Sequence, residues 1–208
     1  MRFVLASASP ARLRVLQDAG LCPEVLVSGV DEDQFGDLAA VALVQALAKA
    51  KAEQVAASLP DADLVLIGCD SLFEFAGEVF GKPGSAQRAR QRCRALSGKS
   101  GLLHTGHHVI VRTNGMQSCR TAVATTGVNF GEFSQAEIEA YVATGEPLNV
   151  AGGFTIDGYG GAFIAGLQGD HTNVIGLSLP LFRQLLADLG VSYHQLWKKS
   201  ESPDNESG

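Results

Sequence analysis

The sequence predicts a mixed α/β fold built on a twisted sheet, and three observations carry the prediction. Hydrophobic residues make up 46% of the 208, apolar surface enough to offset the entropy of ordering a core. Apolar runs of strand length alternate with stretches that are apolar at helical spacing, the pattern of α/β units. The first such run, Phe3 to Ala6, passes into a helical segment after a turn of only a few residues. The length suits one globular unit, taken here as residues 1–199, within the roughly 100 to 200 residues of a typical domain. Ser200 to Gly208 (SESPDNESG) has no apolar residue and reads as a disordered polar tail.

Each element has a local reason. Phe3 to Ala6 reads as a buried strand, and Pro10 to Ala19 as a helix with Ser9 as N-cap, Pro10 in its first turn and Gly20 past its end. Glu24 to Ser28 is a second short strand. Leu38 to Ser58 is Ala-rich with helical spacing and stops at Pro60. Leu64 to Gly68 (LVLIG) is an apolar run of strand length, and Gln87 to Leu96 is helical up to Ser97-Gly98. His107 to Arg112 and Thr121 to Val128 form strands on either side of a turn at Asn114-Gly115. Ser134 and Glu137 have capping-box spacing and open a helix through Val142. The segment Gly152 to Gly161 (GGFTIDGYGG) reads as a flexible backbone wall with Asp157 as its only charge. Leu179 to Leu189 is the last helix.

Charge and cysteine usage exclude several functions. With 16 Lys and Arg against 22 Asp and Glu the net charge is −6, the wrong sign for displacing counterions from duplex nucleic acid. The four cysteines, at 22, 69, 93 and 119, form no C-x-x-C pair and read as buried free thiols in a reducing compartment. No run of 18 apolar residues occurs, and the apolar stretch near Met1 is shorter than a secretory signal, so the expectation is a cytoplasmic protein without a membrane partner.

Several residues could carry chemistry. Ser7-Ala-Ser-Pro-Ala-Arg12 joins a strand to a helix start, where free N–H groups and the helix dipole favour an anion. Arg12 and Arg14 oppose that dipole, which is easier to understand if they hold a phosphate; a capped helix with solvated arginines is the plain alternative. Asp70, read as standing at the end of the LVLIG strand, is a candidate metal ligand or general base, or a turn cap. Asp31-Glu32-Asp33 could offer oxygens to a hard cation or be a solvated turn. Gly81-Lys82-Pro83 puts a charge on a rigid turn. Lys49 and Lys51 lie two apart on a helix, so only one of them can enter a given cleft. The segment from His104 to His108 continues into a strand and lacks the helical spacing of a zinc motif. The Gly-dense segment matches neither a Walker A loop nor the dinucleotide fingerprint.

Taken in order, these segments resemble the Maf family of nucleoside triphosphate pyrophosphatases from about Phe3 to Leu189. The family's S-x-S-P-R-R stands here as Ser7-Ala-Ser9-Pro10-Ala11-Arg12, its D-E as Asp31-Glu32, and its L-A-x-x-K-A as Leu47-Ala48-Lys49-Ala50-Lys51-Ala52. The A-D-T or S-D-x segment is Cys69-Asp70-Ser71, G-K-P is Gly81-Lys82-Pro83, and L-S-G is Leu96-Ser97-Gly98. The late G-D-x-x-N-V-x-G-L matches Gly169 to Leu177. The resemblance implies an inosine triphosphatase-like fold of two lobes about a central cleft. It also implies cleavage of a nucleoside triphosphate between its α and β phosphates with Mg²⁺ or Mn²⁺, in nucleotide-pool housecleaning. Asp70 would be the catalytic base; Ser7, Arg12, Lys51 and Lys82 would hold phosphates, with Ser71 and Asp157 also lining the substrate. Glu32 and Asp70 would hold the metal.

The chain departs from the family at Ala11, which replaces an arginine. Cys69-Asp70-Ser71 and Thr155 to Gly158 stand where the dTTP/UTP branch has A-D-T and G-x-Q-G, whereas the 7-methyl-GTP branch is similar in its S-D-x segment and in the A-G-x-F that matches Ala151-Gly152-Gly153-Phe154, so the chain fits neither branch cleanly. Broad specificity, including non-standard or methylated nucleotides, is the resulting expectation. The rival account is a nucleotide-binding regulator of septum formation. A homodimer is expected from the frequency of twofold oligomers.

Overall fold

Ser9 starts the first helix as its chemistry predicts. Its Oγ accepts the Arg12 N–H at 3.4 Å, with Pro10 in the first turn, an arrangement worth about 1 kcal/mol against alanine. The computed structural model describes residues 1–36 and 38–198, so the polar tail at 200–208 lies outside the described residues. In chain order the elements are β1 (Arg2–Ala6), α1 (Pro10–Asp18), β2 (Glu24–Val25), α2 (Ala40–Ser58), β3 (Leu64–Phe75), β4 (Glu78–Phe80) and α3 (Ala86–Leu96). There follow β5 (Ser100–Thr113), β6 (Met116–Phe130), α4 (Gln135–Ala143), β7 (Ile164–Gln168), α5 (His171–Ile175) and α6 (Leu179–Asp188). The capping box at Ser134 and Glu137 forms in both directions, and the hairpin turns at Asn114-Gly115 between β5 and β6.

The seven strands make one mixed sheet in the order β2-β1-β3-β5-β6-β7, with β4 also on β3. The second strand is only Glu24–Val25, shorter than the expected run to Ser28. The larger difference is β3, which continues seven residues past Gly68 to Phe75. Asp70 therefore sits inside a long strand rather than at its end. The reason is pairing: β5 runs antiparallel to β3 over Leu64 to Glu74, and this ladder carries the strand past the polar Asp70 and Ser71.

The other edge of β3 is broken. β1 lies parallel to it only as far as Ala6 opposite Gly68, and β4 lies antiparallel only as far as Phe80 opposite Phe73. Both must occupy the same edge, because β5 fills the opposite one. Residues 69–72 are thus left without a strand partner on that side. The chain leaving β1 at Ser7 and the chain leaving β4 at Gly81 run into this gap from its two ends.

The long strands β3, β5 and β6 carry two cores on one face of the sheet, and a third, with Ala52, Val55, Leu64, Leu66 and Ile110, lies under α2 on the other. On the face that holds α1 and α6, Phe3, Leu5, Val15, Leu16, Ile67, Val109 and Phe182 form one. Farther along, Phe73, Leu96, Leu103, Val128, Phe130 and Phe154 form the second, with Phe73, Phe130 and Phe154 packed edge to face. On that face the apolar alternation of β3 is interrupted by Ser71 and that of β5 by Thr105 and His107. A polar band divides the two lobes at the level of the gap.

α2 covers the other face and lies unusually close to it. A Cβ on Gly68 would stand 2.6 Å from the Ala48 carbonyl oxygen, and one on Gly106 only 2.0 Å from that of Val44. Gly106 pairs with Asp70 across the ladder, so the two bare positions flank the residue of interest. Among the described residues no helix is long and apolar enough to cross a membrane.

Candidate active site

Strand alternation sends Asp70 and Ser71 to opposite faces at the gap. Asp70, 7% exposed, turns toward α2. There the Lys51 Nζ donates to its Oδ1 at 2.5 Å and also meets Glu32 Oε1 at 2.7 Å. Glu32 belongs to a short 3-10 turn, Glu32–Phe35, opened by Asp31, whose carboxylate accepts the Asp33 N–H and the Gln34 side-chain amide. Asp70 Oδ2 takes no hydrogen bond among the described residues. Lys49, two residues from Lys51, points elsewhere and lies 3.8 Å from Glu53, as helical spacing required.

Ser71 turns toward α1. The Arg12 guanidinium is fixed there by three acceptors: Nε donates to the Gly176 carbonyl at 2.8 Å, Nη1 to Ser7 Oγ at 3.1 Å, and Nη2 to Ser71 Oγ at 2.9 Å. Ser7 Oγ also accepts the Ser9 N–H at 3.1 Å. Gly176 has φ +126, a conformation that side chains rarely adopt, and its carbonyl is presented by the segment just after α5. An arginine has five N–H donors, so two remain beside the helix N-terminus, where a phosphate would be stabilised.

Two loops complete the gap. Lys82 is exposed and forms no ion pair among the described residues. Its loop is held by the Arg92 guanidinium, which donates to the Gly81 carbonyl and stacks 5.0 Å over Phe80. Pro83 lies against Gly153, where a Cβ would stand 2.9 Å from the proline ring. The Gly-dense segment, expected as a flexible backbone wall, is tied to a side chain outside it. Its residues wrap a carboxylate: Glu146 accepts from Thr155 Oγ1 at 2.5 Å and from the N–H groups of Tyr159 and Gly160 at 2.9 Å. Burial raises the Glu146 carboxyl, but these hydrogen bonds outweigh it and leave the group below its ordinary range. Asp157 on this loop lies 3.8 Å from Arg14, a weak and partly exposed pair.

The remaining titratable groups are structural. Burial pushes the Cys69 thiol up to about 12, so it stays protonated and is no nucleophile. Cys93 is also buried, but Cys22 and Cys119 are exposed, so only half of the thiols are interior as expected. His107 accepts the Ser178 N–H at Nε2 (2.8 Å), which leaves its Nδ1 to donate to the Thr105 carbonyl (2.9 Å). His104 and His108 stand on the opposite face, bonded to Thr125 and Thr121 respectively. In the late motif, Asp170 caps α5 through Thr172. The Asn173 amide ties α5 to the Leu103 and Ala124 carbonyls and to Thr126.

The donor set fits a hard divalent cation. Two carboxylates, Glu32 and Asp70, converge on one positive charge, the Lys51 ammonium. Among the described residues no three metal-ligating side chains gather at a point. Mg²⁺ is commonly held by only one or two carboxylates, with substrate phosphates completing its shell. Sequence reasoning missed Thr105, Glu146, Arg92 and the carbonyl of Gly176. For Thr105 a signal existed, a hydroxyl among apolar positions of alternating strand spacing. For the others the partners are remote in sequence.

An open α/β sheet with an arginine-bearing helix start and paired carboxylates at a break in its edge has the side-chain chemistry that a phosphorylated ligand and a hard cation would need. Comparison with known proteins narrows this: the chain belongs to the Maf family, whose model, described as Maf-like protein, matches residues 2–189. A protein of Saccharopolyspora erythraea named nucleoside triphosphate pyrophosphatase is 55% identical, over 95% of this chain and 97% of its own. Proteins of the same name from Streptomyces coelicolor and Mycobacterium ulcerans are 52% and 47% identical, covering 96% and 97% of this chain and 96% and 99% of their own.

Proposed function

We propose that this chain is a metal-dependent nucleoside triphosphate pyrophosphatase that splits the α–β phosphate bond, releasing nucleoside monophosphate and pyrophosphate. The observation that carries the reading is Asp70, held by Lys51 beside Glu32 at the break in the sheet edge. The name shared by relatives about half identical along their full length supports it.

In this reading Asp70 Oδ2 takes a proton from water. The water oxygen bonds to the α phosphorus, the bond from that phosphorus to the bridging oxygen breaks, and pyrophosphate departs with that oxygen. Arg12, Ser7 and the start of α1 hold phosphate oxygens from one side of the gap, and Lys82 approaches from the other. Lys51 neutralises charge between them and keeps Asp70 oriented. Glu32 and Asp70 would hold Mg²⁺ or Mn²⁺, which supplies Lewis-acid stabilisation of charge on the phosphates. Ser71 and Asp157 line the substrate. The substrate class is broad, extending to non-standard or methylated nucleotides, since the residues around Asp70 and Asp157 fit neither specialised branch cleanly.

We read the protein as cytoplasmic, on its four free cysteines, and as a twofold homodimer. One observation favours a nucleotide-binding regulator of septum formation instead: Ala11 removes a cation from the phosphate end of α1. A chromatographic assay with Mg²⁺ or Mn²⁺ over standard, methylated and deaminated triphosphates decides. Equal yields of monophosphate and pyrophosphate, lost by roughly 10² to 10⁴-fold in Asp70→Asn, are expected. Diphosphate and phosphate as products would refute α–β cleavage. Nucleotide that raises the melting temperature without turnover would establish the regulator.

A further inference from the structure

We propose that Thr105 is a positioning residue whose buried hydroxyl orients Ser71 and, through it, holds the Arg12 guanidinium for a phosphate. The proposal rests on the reading of Arg12 as a phosphate-holding group. Thr105 is fully buried on β5, with the apolar Leu103 and the buried His107 two positions away on the same face and Val109 beyond. Valine would fill that space equally well, so the hydroxyl is the feature that needs a cause.

A hydroxyl has one proton and two lone pairs. Thr105 Oγ1 gives its proton to the Asn173 carbonyl at 3.3 Å. Ser71 Oγ, 2.9 Å away, therefore donates to Thr105 and turns its lone pairs toward Arg12 Nη2, also at 2.9 Å. The chain runs one way, from cation through two hydroxyls to a carbonyl, and such chains polarise each member in the same sense. Its far end is anchored, because the Asn173 side chain is tied to β5 and β6. Ser71, Ser7 and Gly176 then bracket the guanidinium from three separate segments, which fixes its plane and leaves one N–H on each terminal nitrogen for a phosphate. Without Thr105 the Ser71 hydroxyl turns freely and can present its proton to the cation.

The test is a double-mutant cycle read by calorimetric binding of inorganic pyrophosphate, which requires no turnover. In the otherwise native protein Thr105→Val weakens binding about tenfold, and Thr105→Ser, which keeps the hydroxyl, restores it to within about twofold. In an Arg12→Ala background Thr105→Val changes binding by less than about twofold, because the residue it acts through is gone. Equal losses in both backgrounds overturn the proposal, since Thr105 would then act on the site independently of Arg12. If Arg12→Ala alone leaves pyrophosphate binding unchanged, the phosphate reading of Arg12 fails and takes this proposal with it, a result the cycle separates from the first. Thr105→Ala runs the same cycle should valine prevent folding, with the same two outcomes.

Discussion

The close approach of α2 to the sheet makes Gly106→Ala the most informative single change. The added methyl would stand 2.0 Å from the Val44 carbonyl oxygen and 2.4 Å from its carbon. Ordinary contact begins near 3.4 Å, so α2 must retreat by about 1.4 Å at that point or the strand must give way. Overpacking of this kind costs about 1–3 kcal/mol. The functional cost is of similar size. Lys51 lies two turns along the same helix and reaches Asp70 at 2.5 Å and Glu32 at 2.7 Å, and in the proposed mechanism a shift of about 1 Å in a group that orients the base can cost about 10²-fold in rate. The expected result is a fall in kcat of at least about tenfold, with a melting temperature lower by about 2–4 °C per kcal/mol lost. Gly127→Ala is the control: its methyl would meet Gln168 at 3.4 Å, ordinary contact, and it should change neither quantity much. Wild-type kcat and melting temperature in Gly106→Ala would refute the argument that helix depth sets the Lys51–Asp70 contact.

Three further changes follow from the site. Burial pushes the His107 imidazole down from 6.5 to about 4, so the stability it contributes is complete above pH 6.5 and is lost as pH falls through about 4. The amount is about 3 kcal/mol, and the loss of stability between about pH 7.5 and about 4.5 should be shallower in His107→Gln, measured by urea midpoints; an unchanged slope would exclude His107 as the acid-labile group. Arg92→Met frees the Gly81 carbonyl and should raise KM for the nucleotide about three- to tenfold with kcat nearly constant, whereas a fall in kcat alone would place the effect elsewhere. Glu146→Gln weakens the acceptor for Thr155, Tyr159 and Gly160 and should lower stability by about 1–3 kcal/mol in a denaturant titration; no change would mean the Gly-dense loop holds itself.

What could be read in the chain was local. Ser9 with Pro10, the capping box of Ser134 and Glu137, and the turn at Asn114-Gly115 are legible because each satisfies its own backbone within a few residues. The spacing of Lys49 and Lys51 was equally binding, since a helix cannot place both on one line. The ordered motifs gave the family as well, because their residues keep the family's order along the chain. Other properties depended on partners far away. Asp70 lies inside a strand because β5, more than thirty residues later, pairs with it; the hydrogen-bonding need of the backbone overrode a polar stretch that looked like a loop. Arg12 is aimed by a carbonyl 164 positions on, and the Gly-dense segment is gathered around Glu146, which lies outside it in sequence. The break in the edge of β3 exists only once β1 and β4 compete for the same side. Chain-local chemistry thus determined which groups were available, and the tertiary fold decided which of them meet, because a hydrogen bond or a close packed contact is set by distance in space and not by separation in sequence.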